Sequence, residues 1–314
     1  MQSPTDSQTS PVVGRFAPTP SGILHFGSLV TAVASFFMAR QARGRWLVRM
    51  EDLDWPRAVP GAADRILHQL EAFGLTWDGP VLYQSRRTEF YRDQLSDLHR
   101  RNLVYPCTCS RREVSEQSLR QTADGPVYSG CCRNKRGIPD TAHAWRLRTC
   151  DLPVSFSDLL HGVVVQNVAH DVGDFILQRS DSIFAYQFAT PLDDADQGVN
   201  QVVRGNDLLW STPRQIWLLQ QLSRAIPTYC HLPLALRSDG TKISKSDSRH
   251  PVLCDTTRDD LPSFLILAFS FLGLQVPREF LHCRCNELLT WAIDSFRLDS
   301  VSRSNQIVKA SLQE

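Results

Sequence analysis

Lysine is nearly missing from this sequence: Lys135, Lys242, Lys245 and Lys309 stand against thirty arginines in 314 residues. The 33 acidic residues balance the bases to a net charge of +1, which excludes a histone-like coat that binds nucleic acid over its whole surface. A long hydrophobic run is missing as well. The greasiest stretch, Phe264 to Leu274, falls well short of the ~20 apolar residues a bilayer requires. It reads as a buried helix, with Asp259 or Asp260 near its start and Pro262 in its first turn. The opening MQSPTDSQTS has neither the basic start nor the apolar core of a secretion signal, so the expected location is the cytoplasm. Nine cysteines, odd in number and unevenly spaced, do not suit a disulfide framework. Metal ligands or inert core thiols remain.

What is present describes a globular chain. Hydrophobic residues make 42% and charged ones 21%, and the length is about two domains' worth on the usual size prior. The charge is unevenly spread. Residues 84–150 hold thirteen bases against seven acids, and residues 151–210 hold two against nine. That asymmetry predicts a polyanionic partner docking on one part of the molecule.

Along the chain, Val12–Phe16 reads as a strand, a Pro/Gly loop follows, and Val30, Val33, Ala34 and Phe37 mark a helix over Ser28–Arg40. Arg45–Met50 reads as a second strand. Strand, loop, helix and strand form a βαβ unit, which predicts a parallel sheet with ligands at the carboxyl ends of its strands. Further helices are expected over Ala63–Phe73, Arg87–Leu103 and Pro213–Leu222, and from Asp255 onward. Ile183–Leu192 and Gln201–Val203 read as strands. The stretch from Cys107 to about Arg136, rich in cysteine and base, reads as an inserted module.

Two of the four lysines fall in Lys242-Ile243-Ser244-Lys245-Ser246, after Arg237-Ser238-Asp239-Gly240-Thr241. Ammonium groups, hydroxyls and a glycine in a mobile loop suit a triphosphate whose charge shifts during reaction. Far upstream, Arg15-Phe16-Ala17-Pro18-Thr19-Pro20-Ser21-Gly22-Ile23-Leu24-His25-Phe26-Gly27-Ser28 brings a histidine and two glycines to a helix N-terminus, where backbone N–H groups and the helix dipole favour phosphate. Elsewhere, Cys107-Thr108-Cys109 is followed some twenty residues later by Tyr128-Ser129-Gly130-Cys131-Cys132. Thiolates at that spacing can close a tetrahedral Zn²⁺ site.

The pair His25-Phe26-Gly27-Ser28 and Lys242–Ser246 resembles the two signatures of the class I aminoacyl-tRNA synthetases. The stretches RFAPTPSGILHFGSL, Arg49-Met50-Glu51-Asp52-Leu53-Asp54 and Val203-Arg204-Gly205-Asn206-Asp207-Leu208-Leu209 resemble the glutamyl/glutaminyl branch, over roughly residues 12–250. The resemblance implies an α/β fold, with a Rossmann-type parallel-sheet catalytic domain, an inserted zinc-binding module and a short helical C-terminal region. It implies catalytic roles for His25 and Lys245, ATP binding by His25, Gly27, Lys242 and Lys245, and glutamate binding by Arg15, Phe16, Ala17, Pro18, Thr19, Glu51, Tyr186 and Arg204. Two arginine forks suit the two carboxylates of glutamate, and Glu51 suits its ammonium. The family's metal pattern lands on Cys107, Cys109, Tyr128 and Cys132, with Cys131 as a neighbouring soft donor outside that pattern. One structural Zn²⁺ per chain is implied, along with ATP carrying Mg²⁺ as substrate. Arg111, Arg112, Arg133, Lys135 and Arg136 would meet tRNA phosphates. Cys283, Cys285 and His282, without a matching second cluster, read as core or surface groups.

The organisation expected is a flexible tail (1–11), the first half of the catalytic domain (12–104), the inserted module (105–180), the second half (181–250) and a helical end (251–314). The last is too short for the anticodon-binding region of full-length members. That resembles a truncated branch which activates L-glutamate with ATP and attaches it to queuosine in the anticodon loop of tRNA(Asp). The alternatives are a truncated enzyme charging the tRNA 3′ end and a non-catalytic tRNA-binding paralogue. The chain is expected to be a monomer with no membrane partner.

Overall fold

The computed structural model describes residues 11–54, 58–118, 120–122, 125–243 and 261–308. Strand β1 (Val13–Phe16) leads through the Pro/Gly loop into α1 (Phe26–Gln41), which returns to β2 (Arg45–Met50). Next come α2 (Ala62–Ala72), β3 (Leu82–Tyr83), α3 (Thr88–Arg100), β4 (Val104–Cys107) and α4 (Arg111–Gln117). The middle of the chain is β5 (Gln121–Thr122), β6 (Gly125–Pro126), β7 (Ala144–Leu147), β8 (Pro153–Asp158), β9 (Gly162–Asn167), α5 (Val168–Asp171) and β10 (Ile176–Gln178). The second half runs α6 (Tyr186–Asp196), β11 (Gln201–Gly205), α7 (Thr212–Gln221), β12 (Thr228–Leu232) and β13 (Ala235–Leu236). It ends with α8 (Leu261–Phe271), α9 (Cys285–Ser295) and β14 (Gln306–Ile307).

The main sheet has seven strands in the order β3-β2-β1-β11-β12-β8-β9. Every neighbouring pair is parallel except β8 with β9. The expected βαβ unit is β1–α1–β2, and it opens the centre of the sheet. A second sheet, β10-β7-β4, is antiparallel. Residues 105–180 therefore serve two structures: β7 and β10 build the small sheet with β4, while β8 and β9 extend the main one.

Side chains on a strand alternate between faces, so the two layers over the main sheet can be read residue by residue. Phe16, Trp46, Val48, Met50, Val203, Cys230 and Leu232 enter the apolar layer that includes residues of α1, α2, α8 and α9. Leu47, Val202 and Tyr229 enter the other, with residues of α3, α6 and α7. Arg15, Arg49, Arg204 and His231 sit at positions in step with this second set. All four are buried, and they meet the polar residues of α6 and α7.

One expected strand is a helix. The alternation in Phe184-Ala185-Tyr186-Gln187-Phe188 resembles a strand, and Pro191 argues against a helix interior. The chain nevertheless turns helical at Tyr186, with Phe188, Ala189 and Leu192 buried on one side. Packing of that face against the sheet overrides the local β preference. The helical end also departs from expectation in one respect. β14 pairs parallel with β13, and α8 and α9 share the main apolar layer with α1. Pro262 does lie in the first turn of α8, while Asp259 and Asp260 lie outside the described residues.

The uneven charge is partly consumed inside the molecule. Arg87 pairs with Asp193 and Asp196, Arg120 with Asp171, and Arg133 with Asp174. Among the described residues, no helix is long and apolar enough to cross a membrane.

Candidate functional site

The carboxyl ends of β1, β2 and β11 open into a cleft of about 790 Å³ whose lining includes Arg15, Phe16, Ala17, Thr19, Glu51, Tyr186, Arg204, Asp207 and Lys242. A second hollow of about 340 Å³ shares Phe16, Ala17, Thr19, Arg204, Asp207 and Lys242 with it and adds Pro18, His25, Gly27 and Ser28. The residues that the sequence assigns to amino acid and nucleotide thus converge from β1, the loop after it, β2, α6, β11 and the loop after β13. Lys245 lies outside the described residues.

The charged floor of the cleft is a buried network. Arg15 donates from Nε to Asp194 Oδ1 at 3.1 Å and from Nη1 to the Val203 carbonyl at 3.2 Å. Arg49 reaches Asp194 at 2.8 Å, Glu51 at 3.4 Å and Asp193 at 3.9 Å. Thr190 donates its hydroxyl to Glu51 Oε1 at 2.8 Å. Asp193 is closed in further by Gln84, Arg87 and Tyr91. Burial alone would lower the pKa of Arg49, but Asp194, Glu51 and Asp193 hold it charged. Burial raises Glu51 above the ordinary carboxylate range, with Arg49 and Arg15 pulling it back. For Asp194 the two arginines outweigh burial and hold it below that range.

Arg204 is different. Its Nε donates to His231 Nε2 at 3.1 Å, Nη1 to Tyr186 Oη at 3.0 Å and to Gln215 Oε1 at 2.8 Å, and Nη2 to Thr212 Oγ1 at 2.8 Å. Every one of these acceptors is neutral, and the residue is only 4% exposed. A buried cation without a carboxylate is expensive unless a ligand supplies one. Set out as charges, Arg15, Arg49 and Arg204 face Glu51 and Asp194, with Asp193 matched by Arg87. Among the described residues, the nearby buried acid Asp158 reaches Arg204 only through His231, so the wall of the cleft carries a cation with no carboxylate in direct contact.

At the mouth, His25 is the N-cap of α1. Its Nδ1 accepts from the Ser28 N–H at 3.2 Å, and the first turn of the helix carries no acid. A side chain at Gly27 would meet the imidazole at 3.3 Å, so glycine keeps the histidine and the helix end together. Lys242 is held by Asp207. The sequence assigned no role to Asp207, Asp193, Asp194, Thr190, Arg49 or His231, although Arg49 and Asp207 fall within the stretches that carry the resemblance. Arg49 carried a signal, since it interrupts the apolar strand RWLVRM.

At and beyond the end of β4, the sulfurs of Cys107, Cys109 and Cys132 lie within 4.8 Å of one another, the one such group of three or more donors among the described residues. Tyr128 Oη lies 3.3 Å from Cys107 Sγ and 3.9 Å from Cys109 Sγ, with the Arg146 guanidinium 3.7 Å over its ring. Three sulfurs and one oxygen at these spacings fit a tetrahedral ion with bonds of roughly 2.0–2.3 Å. Cys131 is exposed, 3.1 Å from Cys109 Sγ, and falls outside the mutually close group. His282, Cys283 and Cys285 form no such group; Cys283 instead contacts the Glu279 carbonyl. Of the expected phosphate contacts, Arg111, Arg112, Lys135 and Arg136 are exposed, whereas Arg133 is spent on Asp174 and the Thr149 carbonyl.

Comparison with known proteins agrees with this geometry. Residues 11–310 match the family model described as tRNA synthetases class I (E and Q), catalytic domain. The glutamyl-Q tRNA(Asp) synthetase of Dechloromonas aromatica is 48% identical over 300 residues, covering 95% of this chain and 98% of the relative. The protein of that name from Neisseria meningitidis serogroup A is 49% identical over 293 residues, covering 92% and 97%. Among solved structures, a glutamate tRNA ligase from Elizabethkingia meningosepticum in complex with its amino acid superposes with a TM-score of 0.78 at 24% identity, over 96% of this chain and 68% of that one. That likeness speaks for the fold.

Proposed function

The chain belongs to the catalytic-domain family of the class I tRNA synthetases for glutamate and glutamine, and from that premise we propose that it activates L-glutamate with ATP and transfers the glutamyl group to queuosine in the anticodon loop of tRNA(Asp). The observation that carries the first half is Arg204, a buried cation with neutral partners, facing the same cleft as Glu51 and the phosphate-handling loop. The relatives' shared name and length carry the second half. Activity of this kind belongs in the cytoplasm, where tRNA is.

In the activation step the α-carboxylate of glutamate attacks the α-phosphorus of ATP, pyrophosphate leaves, and glutamyl-adenylate remains. Positioning and charge stabilisation do the work, with little acid–base chemistry. Arg15 and Arg204, with the Tyr186 hydroxyl, take the carboxylates, and Glu51 takes the ammonium. Phe16 at the end of β1 and Ala17, Pro18 and Thr19 in the loop after it frame the amino acid. The N-terminus of α1, with His25 and Gly27, takes the phosphates, together with Lys242 once it leaves Asp207. Lys245 follows the charge developing on pyrophosphate. Magnesium accompanies ATP bound chiefly to phosphate. Arg111, Arg112, Lys135 and Arg136 hold tRNA phosphates and set its register without reading its sequence.

The test is transfer of labelled glutamate to tRNA(Asp). Transfer is expected with queuosine present, to be lost when queuosine is replaced by guanosine, and to survive removal of the 3′-terminal adenosine. Charging that depends on the 3′ adenosine would instead identify ordinary 3′ glutamylation. Folded, metal-loaded protein without glutamate-dependent ATP–pyrophosphate exchange would leave only a binding role.

A structural zinc ion, one per chain, would be held by Cys107, Cys109, Cys132 and Tyr128. Bound there, it would supply a crosslink that keeps this basic stretch in shape. The purified protein is expected to carry about one zinc per chain, C132S to lose it, and C131S to keep it. Loss of zinc from C131S would make Cys131 the fourth ligand, and a parent protein without stoichiometric zinc would defeat the site.

A further inference from the structure

Behind Arg204, on the side away from the cleft, lies a pair that the activation chemistry has not used. Strands β11 and β12 place Arg204 and His231 as direct partners in register. His231 Nδ1 lies 2.6 Å from Asp158 Oδ2 at the end of β8, and neither side chain has any exposed surface. Its other nitrogen, Nε2, lies 3.1 Å from Arg204 Nε and 3.0 Å from Thr212 Oγ1, a hydroxyl that itself accepts from Arg204 Nη2. Neither His231 nor Asp158 lines the cleft.

We propose that His231, held by Asp158, is a positioning residue for glutamate activation: it fixes the guanidinium of Arg204 at the angle that meets the substrate carboxylate.

The assignment of the imidazole proton follows from chemistry. An arginine Nε always carries hydrogen, so Nε2 of His231 must accept, and the ring proton must reside on Nδ1, where Asp158 receives it. A second proton on the ring would set two donors against each other. The site opposes that proton: burial leads in pushing His231 down to about 4, and the Arg204 charge adds to it, against the pull of Asp158. The imidazole is thus a rigid, neutral acceptor. It holds Arg204 while keeping the Asp158 carboxylate one residue away, so that no acid pairs with the guanidinium directly. Asp158 is itself anchored, since its Oδ1 accepts the N–H groups of Leu160 and His161 at 3.0 Å each in the turn of the β8–β9 hairpin. The hairpin therefore sets the ring, and the ring sets the arginine.

The inference rests on the glutamate reading above, and its test separates the two. Glutamate-dependent pyrophosphate exchange is measured for the parent, H231A, H231Q, D158N and the double variant D158N/H231A, with KM taken for glutamate and for ATP. Loss of a hydrogen bond to a charged group predicts that H231A raises KM for glutamate roughly ten- to a hundred-fold, with kcat at saturating glutamate and KM for ATP changed less than about threefold. H231Q, whose amide oxygen can replace Nε2 as acceptor, is expected to recover most of the loss. D158N keeps the turn through its remaining oxygen but unsettles the ring proton, so it is expected to raise KM for glutamate as well. The double variant is expected to be no worse than H231A, because the two act through one contact.

A folded H231A with KM for glutamate within about twofold of the parent overturns the proposal, and so does a parallel rise in KM for ATP or an H231Q no better than H231A. If H231A does not fold, D158N decides by the same criterion. A parent protein that lacks exchange altogether overturns the glutamate reading itself, on which the positioning role depends.

Discussion

Replacing Arg204 by methionine is expected to cut kcat/KM for glutamate between roughly thirty-fold and several thousand-fold, the range for stranding one member of a buried charge pair, while leaving the fold stable. The asymmetry follows from its partners. His231, Tyr186, Gln215 and Thr212 are all neutral, so removing the cation breaks no direct ion pair, and Asp158, one residue further back, keeps His231 and the Leu160 and His161 N–H groups as partners. The apolar stem is retained, and the protein is relieved of a buried charge that it holds at a cost. The substrate carboxylate, by contrast, would enter a dry site without its counter-ion. Exchange kinetics and calorimetry together check the outcome: exchange within about tenfold of the parent would show that Arg204 is not the carboxylate's partner. Arg49→Met, with three acids around it, should lose stability and activity together.

Replacing Asp194 by asparagine is expected to cost roughly 3–5 kcal/mol of unfolding free energy, the usual penalty for breaking a buried ion pair from one side. Asp194 accepts from both Arg15 and Arg49, and its side chain is 6% exposed. Asparagine has nearly the same shape, so the change is electrostatic. Two guanidiniums that now share three acids with Arg87 would share two. The pH dependence carries the same signature. Because Arg15 and Arg49 hold Asp194 below the ordinary carboxylate range against the effect of burial, its stabilisation is present above about pH 4 and is lost as pH falls through its lower folded value. Glu51 and Asp193, raised by burial, act in the opposite sense, so the difference between parent and D194N isolates the Asp194 contribution. Denaturant titrations from pH 7 to pH 3 measure it. A loss below about 1 kcal/mol would show that the network is not an energetic unit.

Much of the candidate site was legible because its parts lie in short motifs at ends of elements, and the resemblance of those motifs to the family's signatures implied their roles. The loop from Ala17 to His25 and the strand from Arg45 to Met50 stand where the periodicity put them, with the helix after the loop starting two residues earlier than expected. The acidic floor was not legible, and the cause is specific. Asp193 and Asp194 belong to α6, whose start mimics a strand, and a strand would have pointed them to opposite faces. Read as a helix, the same segment sends Tyr186, Thr190, Asp193 and Asp194 toward one wall. His231 was hidden differently, inside the apolar run Tyr229-Cys230-His231-Leu232, where a histidine gives no hint of which neighbour it serves. The surplus of base over residues 84–150 was read as facing outward, yet Arg87, Arg120 and Arg133 turn to acids of this same chain.

The alternation of faces along the central strands has a consequence for how the chain can change its length. Adding or deleting one residue in β1 or β11 would swing a guanidinium into the phenylalanine-lined layer under α1 and turn an apolar side chain toward the ligand. A single-codon indel there should therefore be intolerable, whereas β5 and β6, whose described residues enter neither layer, belong to a stretch where a change of length would leave both layers intact.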